Sequence, residues 1–206
     1  MTSYSIFLRD QHAEATVDAE LIDAIDDTHL RLFEATWRPQ VHAYNKEMIA
    51  TGQAHLVEQS GHWDWRSKME RSDGLLAYQS YALMCDGQLQ GLMRVDTSRT
   101  CRLPEQAGKH LVYVNYLETA PWNRPRMTPT PKYRGVGVTM IRTAIEVSLD
   151  LEFEGRIGLH SLPQAVEFYG KKCRMTDLGE DSKVQNLNYF ELAADQARML
   201  LNVGKI

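Results

Sequence analysis

The chain has 206 residues, of which 43% are apolar and 24% charged, and its formal net charge is -4. This composition is typical of a globular domain with a sizeable core, and the acidic balance argues against a general nucleic-acid or membrane binder. Three widely spread cysteines favour reduced thiols over a disulfide framework or a metal site. No apolar run has the length of a membrane span and the polar start does not resemble a secretory signal, so we expect a cytoplasmic protein without a metal.

The front of the chain is predicted to be mostly helical. A first strand is predicted over residues 4–8, and helical segments over residues 17–25, 30–37 and 41–50. The middle helical segment is expected to stop at Pro39, because proline disfavours helix in the residue before it. The last one is expected to end near Gly52.

Two tryptophans flank Asp64 within residues 61–71. One interpretation is that the tryptophans form an aromatic wall of a substrate pocket, in which Asp64 binds an amine of the acceptor substrate. The other is an amphipathic helix that uses Trp63, Trp65 or Met69 as core anchors.

The apolar period then changes to two, which indicates strands. Residues 76–85 and 89–96 predict two strands joined by a tight hairpin at residues 86–88, and residues 111–117 predict a third. Residues 120–131 contain four of the seven prolines and therefore cannot form a helix or an inner strand.

A glycine turn that runs into a helix is predicted at Lys132-Tyr133-Arg134-Gly135-Val136-Gly137-Val138-Thr139. Gly135 and Gly137 carry no Cβ and can take positive φ, so backbone amides there can approach a ligand closely. Amides at a helix start attract phosphate. The spacing fits neither a dinucleotide fingerprint, because Met140 replaces the third glycine, nor a P-loop, because Gly-Lys-Ser/Thr is absent.

The basic-x-x-Gly-x-Gly arrangement of residues 132–137 resembles the pyrophosphate loop of the GNAT acetyltransferase superfamily. A second segment, Ala165-Val166-Glu167-Phe168-Tyr169, resembles the motif that opens the last helix of these enzymes. The resemblance covers roughly residues 75–192. It implies a fold of the α/β (α+β) class. Its central sheet would be mixed, mostly antiparallel, splayed at the cofactor site and flanked by helices. A helical N-terminal elaboration would precede this sheet.

On this resemblance we expect one GNAT-like domain over residues 1–206. Residues 1–74 would supply the first strand and the helical acceptor side, and residues 75–206 the core sheet, the motif that binds coenzyme A and the C-terminal elements. Residues 193–201 predict a final helix, either at a sheet edge or at a homodimer contact.

The resemblance further implies acetyl-CoA as co-substrate and a set of site residues. The expected cofactor-binding residues are Leu117, Thr119, Lys132, Arg134, Gly135, Val136, Gly137, Val138 and Thr139. Leu117 and Thr119 would pair through their main chain with the pantetheine arm, and Tyr169 would protonate the departing thiolate. Arg124 and Arg126 are either further phosphate ligands or a solvated basic loop.

The base that accepts the proton of the amine is left open by the sequence. Glu118 is the leading carboxylate, although strand alternation could turn it outward. Asn115 and Tyr113 share the other strand face with Leu117, and His160 has a suitable intrinsic pKa but is also typical of a buried strand histidine. Attack by a free amine without a dedicated base is a further alternative.

The sequence thus predicts an N-acetyltransferase that moves an acetyl group from acetyl-CoA to the amine of a small molecule or a protein, by direct attack in a ternary complex. One alternative keeps the coenzyme and changes the acyl group or transfers it to oxygen. Another is a module that senses CoA or binds a partner without turnover, which departures from the family pattern at Leu162 and residues 173–175 leave open.

Overall fold

The computed structural model describes residues 1–202, and within them it contains nine strands and five α-helices. The strands are β1 (Ser3–Asp10), β2 (Ala15–Ile22), β3 (Tyr78–Cys85), β4 (Gln88–Thr100), β5 (His110–Thr119), β6 (Tyr133–Arg134), β7 (Ile157–Ser161), β8 (Thr176–Asp181) and β9 (Leu187–Leu192). The helices are α1 (Asp27–Leu32), α2 (Arg38–Ala50), α3 (Trp65–Glu70), α4 (Val136–Asp150) and α5 (Ala194–Asn202). Two π-helical turns lie at Phe33–Trp37 and Phe168–Lys172.

The described strands form one mixed sheet in the order β6-β1-β2-β3-β4-β5-β7-β9-β8. β5 and β7 are parallel, with Val112 opposite Ile157, and α4 lies in the long crossover connection that a parallel pair requires. The pairs β1–β2, β2–β3, β7–β9 and β8–β9 are antiparallel. The predicted α+β architecture, a mostly antiparallel sheet flanked by helices, is confirmed.

The chain divides into two compact units. The first contains residues Met1–Leu76, Ser80–Met93 and Leu117–Gly137, and the second contains Ala77–Gln79, Arg94–Tyr116 and the chain from Val138 onward. The single domain over the whole chain stays a prediction.

The helix predicted over residues 17–25 is wrong, because this segment forms β2. Asp18 and Glu20 are exposed while Ala19 between them is buried, which is the period of two of a strand. The same acidic residues also fit the outer face of a helix, which is why the sequence predicts one. The strand pairs with β1 from Ser3 opposite Ile22 to Asp10 opposite Ala15.

The predicted helix stop at Pro39 is also wrong. The π-helical turn Phe33–Trp37 continues directly into α2, and Pro39 occupies the first turn of α2. A proline is accommodated there because the π-helical turn changes the register of the backbone hydrogen bonds just before it, with the N–H of Arg38 donating to the carbonyl of Phe33.

Aromatic residues form the core of the first unit. Trp37 is fully buried, donates its indole N–H to the carbonyl of Leu89 at 3.2 Å, and meets Phe33 edge to face at 5.6 Å. Trp65 is also fully buried, and Asp64 caps α3 by accepting from the N–H of Ser67. Trp65 is therefore a core anchor, as the second interpretation of this segment had it.

The core of the second unit is built on α4. Ile141 and Ile145, which carry the helical period seen in the sequence, are fully buried together with Met140. Gly155 ends the following turn with φ +81, and a Cβ on it would lie 2.8 Å from Ala197.

Candidate active site

The glycine turn has the local structure that the sequence predicts. β6 ends at Arg134, Gly135 takes φ +94, and α4 begins at Val136. A residue with a side chain is strained at this φ, and a Cβ built on Gly135 meets no atom within 4 Å. The turn is therefore open on the side of the missing side chain. The first amides of α4, which begins at the next residue, have no intrahelical acceptor.

The turn is held by the end of β1. Arg9 lies opposite Arg134 in the β1–β6 pair, and the N–H of Gln11 donates to the carbonyl of Lys132 at 2.8 Å. The side-chain amide of Gln11 donates to the carbonyl of Pro131 at 2.9 Å. These bonds engage the carbonyl oxygens of the two residues that precede β6 and fix the approach of the chain to the turn.

Positive charge is concentrated beside the turn. Arg9 and Arg134 are both exposed, and neither forms an ion pair within residues 1–202. Like charges directly opposite on two strands repel each other. An anion bound at the turn would relieve this repulsion.

Tyr169 lies in the π-helical turn of the second unit. Its side chain is 7% exposed and packs between Phe168 and Phe190, with ring centroids at 5.1 and 6.0 Å. Burial raises the pKa of the phenol. The hydroxyl therefore keeps its proton near neutral pH.

Asn115 lies on β5 in the second unit, two residues beyond Tyr113. Its carbonyl oxygen Oδ1 is buried and has no hydrogen-bond partner among the described residues. An unsatisfied buried acceptor is unusual in a folded protein and calls for an explanation.

The predicted site residues fall in both units. Leu117, Glu118, Thr119, Lys132, Arg134, Gly135, Val136 and Gly137 belong to the first unit, and Asn115, Val138, Thr139 and Tyr169 belong to the second.

Known proteins resemble this chain in structure more than in sequence. No family model and no curated protein matches the sequence. FeeM, an N-acyl amino acid synthase from uncultured soil microbes, superimposes with a TM-score of 0.56 at 10% identity, over 88% of this chain and 93% of FeeM. The N-acetyltransferase YlbP of Bacillus subtilis, solved with coenzyme A, gives a TM-score of 0.50 at 13% identity, over 86% of this chain and 97% of YlbP.

This chain has the GNAT fold. A bacterial toxin also matches, with a TM-score of 0.50 and 16% identity over 66% of this chain and 78% of the toxin. At these identities the comparisons establish the fold, which agrees with the two motifs at residues 132–137 and 165–169.

Glu118, at the end of β5 in this GNAT fold, lies in a closed cluster of the first unit. Its side chain is 4% exposed and accepts three hydrogen bonds, from Ser60 Oγ at 3.0 Å, Trp65 Nε1 at 2.7 Å and Arg124 at 2.8 Å. The carboxylate is compensated and surrounded by protein donors. This environment indicates a role in holding the strand end and the proline-rich loop together.

Arg124 completes the cluster. It is 8% exposed and donates to Glu58 at 3.0 Å, to Glu118, and through Nε to the carbonyl of Thr119 at 2.8 Å. It is therefore neither a solvated loop residue nor free for a phosphate. Arg126 lies farther out, with Nε 3.9 Å from Glu58.

Sequence reasoning missed a second polar network, in the second unit. Tyr113 Oη lies 2.6 Å from His160 Nδ1, His160 Nε2 lies 3.1 Å from Asp181, and Arg102 donates to the same carboxylate at 2.6 Å. Burial lowers the pKa of His160 and raises that of Tyr113 to about 12. A neutral imidazole then accepts from Tyr113 and donates to Asp181. Tyr113 and His160 were separate candidates in the sequence, and Asp181 ends a strand, β8, that the sequence pattern did not predict.

In the part of the chain that the structure describes, no group of three or more His, Cys, Asp or Glu is arranged to hold a metal ion. None of the helices within residues 1–202 is long and apolar enough to cross a membrane. Cys85, Cys101 and Cys173 are buried and free.

Proposed function

We propose that this chain is an N-acetyltransferase that uses acetyl-CoA and an amine acceptor, by direct attack in a ternary complex. The observation that carries the proposal is the open turn at Gly135, with φ +94, at the start of the 15-residue helix α4. A cytosolic location and an acceptor that is a small molecule or a protein amine belong to the same proposal.

The first step is retention of the coenzyme. The amides of Val136, Gly137, Val138 and Thr139 would bind the diphosphate, because the N-terminus of a long helix presents unpaired donors and a partial positive charge. Arg134 and Lys132 add full charges beside them, and the open space at Gly135 gives a diphosphate room to approach. Leu117 and Thr119, at the end of β5, would pair with the pantetheine arm through their main chain.

Bound acetyl-CoA supplies an activated thioester. The amine nitrogen forms a bond to the carbonyl carbon, the carbon–sulfur bond breaks, and Tyr169 gives its proton to the sulfur. The phenol of Tyr169 is protonated near neutral pH, so it carries a proton that the departing thiolate can take. Holding the two reactants together supplies much of the remaining acceleration.

The amine must also lose a proton. We propose that Asn115 Oδ1 accepts a hydrogen bond from the attacking amine, since this oxygen is buried without a partner in the described chain. An amide cannot take the proton, so Asn115 orients the amine. Glu118 already accepts three hydrogen bonds. We therefore propose that it acts by holding the strand end, and that the amine proton passes to solvent.

The test is release of free thiol from acetyl-CoA with a panel of amines. Tyr169→Phe is expected to lower the rate of release by about a hundredfold, the typical contribution of a general acid. Binding of CoA, measured by calorimetry, should be unchanged, because the phenyl ring still fills the space between Phe168 and Phe190. Unaltered turnover in this variant would remove Tyr169 from the mechanism.

A second candidate function keeps the coenzyme and changes the acyl group. FeeM, which shares the fold, is described as an N-acyl amino acid synthase, so the panel should include longer acyl-CoA donors. CoA binding without thiol release from any donor and acceptor would favour the sensing module over both enzymes.

A further inference from the structure

A small cavity in the second unit is attached to the Tyr113–His160 network. Its volume is about 100 Å³, which gives room for several non-hydrogen atoms. The lining includes Arg99, Arg102, Tyr113, His160 and Tyr189. None of these residues belongs to the glycine turn or to the Tyr169 motif.

The two arginines of this cavity are held in place and still have donors to spare. Arg99 donates through Nε to the buried carboxylate of Asp96 at 2.9 Å, and Arg102 donates one N–H to Asp181 and lies 4.1 Å from the ring centroid of Tyr189. The remaining guanidinium N–H groups of both residues have no acceptor within the described chain. A guanidinium has five donors and no acceptor.

His160 and Tyr189, two other polar side chains of the lining, already have hydrogen-bond partners. His160 is bonded at both ring nitrogens, to Tyr113 and Asp181, and Tyr189 donates to Glu191 at 3.0 Å. The unused hydrogen-bonding capacity of the cavity is therefore mainly that of donors. The complementary group is a small oxyanion, and a planar carboxylate matches the fork of a guanidinium best.

The unpaired oxygen of Asn115 belongs to the same strand face as one side chain of the cavity. Tyr113 and Asn115 are two residues apart on β5, so their backbone positions lie about 7 Å apart on one face. Tyr113 lines the cavity, and Asn115 Oδ1 is an acceptor without a partner among residues 1–202. One face of β5 thus carries an acceptor for an amine and, two residues away, a side chain of the cavity that Arg99 and Arg102 also line.

We propose that this cavity binds the carboxylate of the acceptor, and that the acceptor is a small amine that carries a carboxylate several bonds from its nitrogen. This inference rests on the proposed function, since it assigns Asn115 to the acceptor amine. It adds a substrate class and names Arg99 and Arg102 as the residues that select it.

The experiment compares amino acids with their own amides as acceptors. Glycine, β-alanine, 4-aminobutyrate and 5-aminopentanoate, each beside its primary amide, are assayed for thiol release from acetyl-CoA. We expect the two longer acids to exceed their amides in kcat/KM by about tenfold or more, because a charge-assisted pair with arginine is lost in the amide. In Arg102→Gln the ratio of kcat/KM between each acid and its amide should fall to about one, mainly through a higher KM for the acids.

Two further variants control for folding and charge. Arg99→Gln should reduce the preference in the same direction, and it serves as the second test if Arg102→Gln lowers the melting temperature. Arg31→Gln removes an exposed arginine whose partner is Asp27, and it should leave the preference unchanged.

A titration with pentanoate, which has no amine, separates this inference from the proposed function. The signals of His160 are followed by nuclear magnetic resonance, and we expect saturable shifts in the wild type and none in Arg102→Gln. Pentanoate binding without thiol release from any acceptor would support the carboxylate site in the cavity and contradict the proposed acetyltransferase activity. Thiol release with equal rates for acids and amides, or no pentanoate binding, would overturn the carboxylate site.

Discussion

Two of the networks of arginine and carboxylate within residues 1–202 differ in how completely their hydrogen bonds are satisfied. In the first unit, Arg124 lies between Glu58 and Glu118, and the three side chains are almost fully buried. In the second unit, Arg102 bonds Asp181 at 2.6 Å, but the arginine is 49% exposed and borders a cavity. The first network is closed by protein groups, and the second retains donors.

This difference in hydrogen-bond satisfaction predicts a structural role for Arg124 and a binding role for Arg102. A buried ion pair is costly to break, because the partner left behind is an uncompensated charge in a medium of low dielectric constant. A half-exposed pair contributes little to stability, so the donors of Arg102 can serve a ligand. We therefore expect substitutions in the first network to act on stability, and substitutions in the second to act on binding.

The largest expected effect is that of Arg124→Ala. The change leaves Glu118 buried without the arginine that bonds it, and leaves Glu58 with the more distant Arg126 at 3.9 Å, so the free energy of unfolding should fall by about 3–5 kcal/mol. Urea denaturation measures it. Arg126→Ala is the matched control, because Arg126 is 3.9 Å from Glu58 and 32% exposed, and it should cost about 1 kcal/mol or less. Equal losses in the two variants would mean that the first network is not closed.

A smaller effect is expected for Trp65→Phe. The variant removes the indole N–H that donates to Glu118 at 2.7 Å, and loss of a bond to a buried charged acceptor costs roughly 1–3 kcal/mol. The same denaturation series with Trp63→Phe, at the half-buried neighbouring tryptophan, should show a smaller loss. A neutral result at Trp65 would show that Ser60 and Arg124 are sufficient for Glu118.

The smallest effect is a pH dependence from the second network. The pKa of His160 is lowered in the folded state, first by burial, while Asp181 acts in the opposite direction. As the pH falls below about 6.5, His160 is protonated in the unfolded chain and stays neutral in the folded chain. The free energy of unfolding therefore decreases on acidification. Unfolding measured between about pH 5 and pH 8 should show a weaker slope in His160→Gln than in the wild type. His55→Gln, at an exposed histidine, should keep the wild-type slope, and identical slopes in all three proteins would contradict the assignment.

Elements with strong local signals were predictable from the sequence. The hairpin at Asp86-Gly87 is confirmed, because both residues take positive φ as a two-residue turn requires. The turn at Gly135 and the start of α4 were predictable for the same reason. A backbone conformation that only certain residue types adopt can be predicted from the residues themselves.

Features that depend on distant partners were not predictable. The sequence of β2 predicts a helix because its acidic residues suit either period, and only pairing with β1 decides between them. For Arg124 the sequence predicts a phosphate ligand or a solvated residue, because Glu58, 66 residues earlier in the chain, gives no local signal. Asp181 has no local signal either, since His160 and Arg102 come from other elements.

The most direct measurement is a calorimetric titration of the protein with coenzyme A in three forms: wild type, Gly135→Val and Gly179→Val. Gly179 also takes positive φ, at +83, with open space at its Cβ, so the control introduces the same backbone strain away from the turn. We expect binding at one site in the wild type and in Gly179→Val, and affinity at least about tenfold weaker in Gly135→Val, since its side chain occupies the approach to the helix amides. Absence of binding in the wild type, or equal affinities in the two valine variants, would contradict the assignment of the glycine turn to the cofactor.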